Sequence, residues 1–269
     1  MRYVAPQRGE VDPQVFDRPP LASWHAHAAL LRSPDWPAVD ALNALWPADA
    51  RTRFAEQDRG LLADGLHYEQ RIAETGRIAT RAGNWHDLFN ALVWLRHPRL
   101  KRALNAQQVD ELARMGSRQR SRPQCAMTLF DESGCVVLLR DPALLALWDA
   151  HDWHGLFWRR REAWLDGSAD VAVFGHALLE HALTPGKLLV GKALPFVSAD
   201  GDMRRALDAC AGAIAAGRLL RDPQELRPLP LSGMPGWHPG NDSEAFHRMA
   251  ACYQPRRPGR CYPPPLRLD

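Results

Sequence analysis

The sequence predicts a mostly helical α+β fold: one domain with a small antiparallel sheet. Three features predict it. Residues 84–97, Asn-Trp-His-Asp-Leu-Phe-Asn-Ala-Leu-Val-Trp-Leu-Arg-His, are apolar at nearly every position and long enough for a buried helix. Residues 126–139 place the turn residues Asp131 to Gly134 between two β-prone runs, the pattern of a hairpin. Residues 175–183 repeat the apolar-helix pattern and lead into a strand candidate at 187–197.

Composition fits an ordinary soluble protein. The chain has 269 residues, 46% hydrophobic and 24% charged, enough to bury a core without disulfide staples. No run approaches the roughly 18 apolar residues of a membrane span, and the first ten residues lack the apolar core of a signal peptide. Five cysteines, odd in number and without a CxxC pair, suit free thiols in a reducing cytoplasm.

Residues 1–36, rich in proline, are expected to form an arm lying on the body. Residues 37–222 are expected to be the globular domain. The Pro/Gly-rich residues 223–269 should wrap it as irregular chain. Pro37 opens a helix whose Val39, Leu42, Leu45 and Trp46 share a face. Residues 51–58 suit a short edge strand, 66–75 a helix closed by Gly76, and 77–83 a loop. Asn84 caps the central helix and Asp87 suits its positive end. His97-Pro98 ends it, because the residue before proline avoids the helical region. Two helices at 98–105 and 106–115 are expected, with Asn105 as the break. After the hairpin, Asp141-Pro142 starts a helix. A helix at 152–165, a strand at 170–174, the helix at 175–183 and an Ala-rich helix at 201–217 complete the list.

The chemistry-bearing residues lie on the two apolar helices. His86 and Asn90 are four apart on the first, with Asp87 beside them. His176 and Glu180 are four apart on the second. Such i, i+4 pairs share a helix face, so two buried helices could turn their polar groups toward each other. His86, His176 and Glu180 have donor atoms for a divalent metal such as Zn or Mn. His86, Asp87, Asn90, His176 and Glu180 could equally act on a bound water as acid and base, a hydrolase-like arrangement. A structural reading competes with both. Asn84 and Asp87 cap a helix, and a hydrogen-bonded His–carboxylate pair can lock two helices together. No HExxH, P-loop, GxGxxG or G-x-S-x-G motif occurs. The pair His151 and His154 is accounted for by the start of a helix capped by Asp152.

Residues 96–122 hold eight Lys and Arg (Arg96, Arg99, Lys101, Arg102, Arg114, Arg118, Arg120, Arg122) against Asp110 and Glu111. This face could meet nucleic acid or an acidic partner, although a solvated basic surface is the commoner outcome and nucleic acid is not favoured. A non-catalytic binding or scaffold protein is therefore the alternative to an enzyme acting on a small molecule. In Gly233–Asn241, Trp237 and His238 could close over a pocket.

At residues 84–95 the chain resembles a bacterial family known as domain of unknown function 3025. Further stretches agree: His67-Tyr-Glu69, Thr80-Arg81, Thr128-Leu-Phe-Asp-Glu-Ser-Gly134, Phe174-Gly-His-Ala-Leu-Leu-Glu180, Pro228-Leu-Pro-Leu231 and Gly233-Met-Pro-Gly-Trp237. The resemblance runs from about residue 35 onward. It implies a single-domain cytoplasmic bacterial protein, adds Arg81 to the candidate binding residues with Trp237 and His238, and supplies no activity. Lys192 stands where the resemblance leads one to expect a histidine. If that position were a ligand, the change would weigh against a metal.

Overall fold

In the computed structural model, residues 3–116 and 119–268 are described. The architecture is α+β, mostly helical, with two small sheets. Short 3-10 turns and α1 (Ala28–Arg32) form the N-terminal arm, pinned by Val15, Phe16, Leu21 and Trp24, all buried. Arg8 holds it from inside: its guanidinium donates to the Leu30 and Ser33 carbonyls and lies over the Trp36 and Trp85 rings.

After α2 (Val39–Asn43), β1 (Arg53–Glu56) pairs in parallel with β2 (Arg77–Thr80) across α3 (Arg59–Leu62) and α4 (Tyr68–Thr75). The strand β2 replaces part of the loop expected at 77–83. Four residues are too few to show alternation, and Ile78, Ala79 and Thr80 are all buried. Gly76 ends α4 at φ 70°, in the left-handed region that glycine enters without strain.

The central helix α5 (Trp85–Arg96) forms as expected. Asn84 Oδ1 accepts from the Asp87 amide at 2.9 Å, and Trp85, Leu88, Phe89, Ala91, Leu92, Val93 and Trp94 are all buried. The break expected at Asn105 is absent, and α6 runs unbroken from Pro98 to Met115. Asn105 is satisfied from outside the helix, because Nδ2 donates to the backbone and carboxylate oxygens of Glu69 on α4. It therefore has no need to interrupt the helix with its own backbone.

The hairpin expected at 126–139 does not form. Residues Arg122–Ser133 are α7, and only Gly134–Leu139 is a strand, β3. Ser121 and Gln124 exchange a reciprocal capping box, with Pro123 in the first turn. Ala126, Met127 and Phe130 are buried at helical spacing. Of the residues read as a turn, Asp131 to Ser133 are the end of this helix and Gly134 begins β3.

Nor is the main sheet antiparallel throughout. β3 pairs antiparallel with β4 (Ala169–Val173) and parallel with β5 (Val190–Val197). The other edge of β5 takes β6 (Arg227–Pro230), antiparallel, and β7 (Leu266–Arg267), parallel. All six residues of β3 are buried, as expected for a strand covered on both faces. Between β3 and β4 lie α8 (Ala143–Ala150), a π-helical turn at Gly155–Arg159 and α9 (Glu162–Leu165), so the helix expected at 152–165 is divided. Between β4 and β5 lies α10 (His176–His181). After β5 come α11 (Met203–Ala215) and, beyond β6, α12 (Glu244–Met249). α10 packs on both α5 and α7, and α11 packs on α6 and β3. One buried hydrophobic cluster runs through these elements from Val15 to Met234.

Candidate active site

Three helices meet at one point. α5 brings His86 in its first turn, α10 brings His176 at its start, and α7 brings Asp131 and Glu132 at its end. Gly175 allows this meeting. A Cβ there would lie 2.5 Å from the Gly134 nitrogen and the Ser133 Cα and 2.6 Å from the Glu132 carbonyl oxygen. The amides of Phe174 and Gly175 both donate to the Gly134 carbonyl at 2.9 Å. Backbone therefore packs on backbone between the end of α7 and the start of α10, and the side chains of Glu132 and His176 converge.

His86 Nε2 lies 3.0 Å from His176 Nε2, with the rings edge to face. Each ring turns its other nitrogen to a carboxylate: His86 Nδ1 is 3.2 Å from Glu180 Oε2, and His176 Nδ1 is 3.9 Å from Asp131 Oδ2. Glu132 Oε2 stands 3.9 Å from His86 Nε2 and 3.7 Å from His176 Nε2. Lys101 Nζ, itself buried, donates to Asp131 Oδ1 at 2.7 Å.

The electrostatics of the two histidines differ. His176 is 4% exposed, and burial drives its pKa down to about 3, with Lys101 and His86 adding to the effect. Burial also works against charge on His86. The hydrogen bond to Glu180 and the charges of Glu132, Glu180 and Asp87 outweigh it and raise His86 above its ordinary value. Two imidazoles at this distance do not both carry a proton on the facing nitrogens.

The cluster sits on the wall of an open cleft of about 410 Å³, which Tyr68, Glu69, Arg81, Asn90, Gln108 and Thr128 also line. Asn90, one turn beyond His86, donates from Nδ2 to the Tyr68 hydroxyl at 2.9 Å. Its Oδ1 is buried without a partner. Burial raises the Glu69 carboxyl to about 7, against the lowering effect of the hydrogen bond from Asn105. A second cavity of about 300 Å³ shares Tyr68, Glu69, Gln108, Arg120 and Thr128, so the cleft continues past this residue.

His86, Asn90 and His176 are therefore brought together, with Glu180 on the far nitrogen of His86. Asp87 lines the cleft, but its carboxylate accepts from the Arg81 amide at 2.6 Å and from the Arg81 guanidinium at 2.7 and 3.0 Å. The Asp87–Arg81 pair shapes the rim. Trp237 and His238 are not among the residues lining the cleft. The Trp237 amide donates to the Met234 carbonyl, His238 meets the Gly186 carbonyl, and Asn241 Nδ2 ties the loop to Ser232 and Met234. His151 and His154 pair with Tyr262 and Glu244. The Lys192 pKa is lowered by burial and by the charges of Arg257 and Arg260, and the residue does not line the cleft.

The basic residues of 96–122 do not form one free surface. Arg96 donates to the Ser23 carbonyl, Arg99 pairs with Asp208, Arg114 with Glu111 and Arg122 with Asp222, while Lys101 is buried. Arg118 lies outside the described residues.

The residues missed from sequence are Tyr68, Glu69, Lys101, Asp131 and Glu132. The signal for the last two was the Ser121–Gln124 capping box, which starts the helix that ends on them.

No described helix is long and apolar enough to cross a membrane. No curated protein and no solved structure matches the chain. The model of one family, described as Protein of unknown function (DUF3025), matches residues 52–257. That span holds α5, the end of α7 and α10, with the whole histidine–carboxylate cluster, and the chain belongs to this family.

Proposed function

We propose that the chain is a hydrolase-like enzyme whose reactive centre is the His86–His176 pair at the cleft wall. One observation carries this reading: two Nε2 atoms face each other at 3.0 Å, each ring backed by a carboxylate, beside a cleft large enough for a small molecule. A carboxylate on Nδ1 fixes a histidine's tautomer and aims Nε2 at the reaction. In this role Glu180 orients His86, Asp131 with Lys101 orients His176, and the pair with Glu132 activates a water. Asn90 and Tyr68 position the substrate. The lining is rich in neutral hydrogen-bonding groups, Gln57, Tyr68, Asn90, Gln108 and Thr128, which suits a small polar substrate rather than a greasy one. Residues 37–222 form most of the working body in this reading, with 1–36 laid over it and 223–269 adding β6 and β7 to its sheet.

A scaffold protein using the basic 96–122 stretch has less support, because much of that charge is already paired within the chain. The test is hydrolysis of a panel of chromogenic esters, amides, phosphoesters and glycosides by the full chain and by His176→Ala. Loss of activity with the fold retained supports the reading. A panel without turnover, together with a loss of about 1–3 kcal/mol in His176→Ala as a buried partner is left unpaired, returns the cluster to a structural role.

A further inference from the structure

The geometry points to a mononuclear binding site for a divalent first-row transition ion, of the zinc or manganese class. Its ligands are His86 Nε2, His176 Nε2 and a Glu132 carboxylate oxygen, with Glu180 and Asp131 orienting the two imidazoles. It deepens the hydrolase reading by supplying the group that would activate the water, but ion binding can be measured whether or not the chain hydrolyses anything.

Spacing is the first argument. One donor atom from each of His86, Glu132 and His176 lies within 4.8 Å of the others. An ion held at about 2.0–2.1 Å by each donor separates its ligands by roughly 2.9–3.4 Å. The two Nε2 atoms, at 3.0 Å, already stand at that distance. Glu132 Oε2, at 3.7 and 3.9 Å, needs to approach by only a few tenths of an ångström. Its side chain is 39% exposed and ends on the cleft, so it has room to do so.

The Nδ1 partners are the second argument. A metal-bound histidine usually donates its other N–H to a carboxylate or carbonyl. His86 meets that condition through Glu180 at 3.2 Å, while His176 Nδ1 faces Asp131 Oδ2 at 3.9 Å, within ion-pair reach but without a hydrogen-bond partner, and Lys101 fixes Asp131 in turn. Glu180 and Asp131 stand on the Nδ1 sides of the two rings, so both Nε2 atoms face the same space. An ion takes a lone pair from each Nε2 at once, whereas without one a proton carried by one Nε2 must bridge the pair.

Charge is the third. Asp131, Glu132 and Glu180 crowd this point against a single buried cation, Lys101, because Arg81 is engaged by Asp87. A dication offsets the remaining negative charge. Three protein ligands on the wall of an open cleft leave coordination positions for water and substrate, the arrangement of a catalytic rather than a structural ion. Among the described residues, this is the one group of His, Cys, Asp and Glu side chains close enough to hold an ion.

The test uses the full chain, stripped with a chelator and titrated anaerobically with Co²⁺. Visible d–d absorption reports the site, competition with Zn²⁺ and Mn²⁺ gives affinity, and elemental analysis gives stoichiometry. One ion per chain is expected. Affinity should fall at least 100-fold in His86→Ala, His176→Ala and Glu132→Gln, and about 10–100-fold in Glu180→Gln and Asp131→Asn. It should not change in Glu244→Gln, on the separate His154 pair. If the histidine variants fail to fold, Glu132→Gln carries the test, since that side chain is half exposed. A folded wild-type chain that takes up no stoichiometric ion overturns the site. So does a folded Glu132→Gln that binds Co²⁺ as tightly as wild type. A chain that binds one ion through these residues but hydrolyses nothing in the panel overturns the hydrolase reading and leaves the site standing.

Discussion

Lys101 Nζ lies 2.7 Å from Asp131 Oδ1, and the lysine side chain is only 4% exposed. Its ammonium sits near the Trp94 and Phe174 rings, 5.4 and 5.9 Å from their centroids. The pair joins α6 to the end of α7 and holds Asp131 beside His176. Burial alone would raise the Asp131 pKa, but Lys101, through its charge and its hydrogen bond, brings it below the ordinary value.

Replacing Lys101 with methionine keeps the bulk but strands that carboxylate. Removing one partner of a buried ion pair costs about 3–5 kcal/mol. Asp131 retains some exposure, so a loss of about 3 kcal/mol is expected in urea unfolding at pH 7. The sign with pH follows from the carboxylate. In wild type, the depressed pKa contributes stability above the unfolded-state value of 3.8, and that stability is lost as pH falls through the folded value. Without Lys101 this contribution is gone, so the gap between variant and wild type should narrow as pH falls below 4. A gap independent of pH would show that the lysine contributes packing rather than charge.

Gly175→Ala tests how the site is assembled. The added methyl has backbone on every near side, the Gly134 nitrogen, the Ser133 Cα and the Glu132 carbonyl, so neither element can yield by rotating a side chain. Overpacking of this kind costs typically 1–3 kcal/mol. The strain is relieved by moving α10 away from the end of α7, which separates His176 from Glu132. The expected outcome is a lower urea midpoint and weaker Co²⁺ binding. Unchanged values for both would mean that the two elements do not meet so closely.

How much of this was legible depended on how local the signal was. α5 could be read in full, because Asn84, an unbroken apolar run and His97-Pro98 are local features. The pairing of α5 with α10 was legible too, since both helices carry i, i+4 polar residues on otherwise apolar surfaces. Glu132 was not. Asp-Glu-Ser-Gly is turn chemistry in isolation, and only the cap ten residues upstream identifies it as a helix end. Asn105 misled for the same reason: a residue that often breaks helices is satisfied by Glu69, 36 positions away. The parallel partner of β3 could not be inferred either, because β5 follows about 50 residues later and register across such a crossover leaves no local trace.

Thiol reactivity offers an independent check on packing. Cys135 on β3 and Cys210 on α11 are fully buried, and burial raises both thiols well above their ordinary range. Cys252 is 9% exposed and raised by burial as well. Cys261 is exposed and Cys125 intermediate. Since the thiolate is the reactive form, a maleimide should modify Cys261 first and Cys125 more slowly, and leave Cys135 and Cys210 intact until the chain unfolds. Peptide mapping after timed labelling reads the order. Early labelling of Cys135 would be incompatible with a strand covered on both faces.

Two partly buried groups with opposite pH dependence make the last prediction. Burial raises the Glu69 carboxyl from 4.5 to about 7, only partly offset by Asn105. Between pH 4.5 and 7 the unfolded chain therefore ionises Glu69 while the folded chain holds it protonated, and stability falls as pH rises through that window. His97, against the rings of Trp24 and Phe174, is shifted the other way, from 6.5 to about 4, chiefly by burial with a smaller push from Arg96. Its unfolded form takes up a proton first as pH falls, so its contribution is complete above 6.5 and is lost toward 4. Each shift corresponds to at most about 3 kcal/mol. In wild type the two slopes largely cancel between pH 4.5 and 6.5. Glu69→Gln keeps an oxygen to accept from Asn105 but no longer titrates, which leaves the His97 slope exposed. Relative to wild type, the variant should gain roughly 2 kcal/mol at pH 7 and almost nothing at pH 4.5, read from urea midpoints at the two values. An equal difference at both would mean that Glu69 is ionised in the folded chain across the whole range, and that the cleft wall around it is wetter than its burial implies.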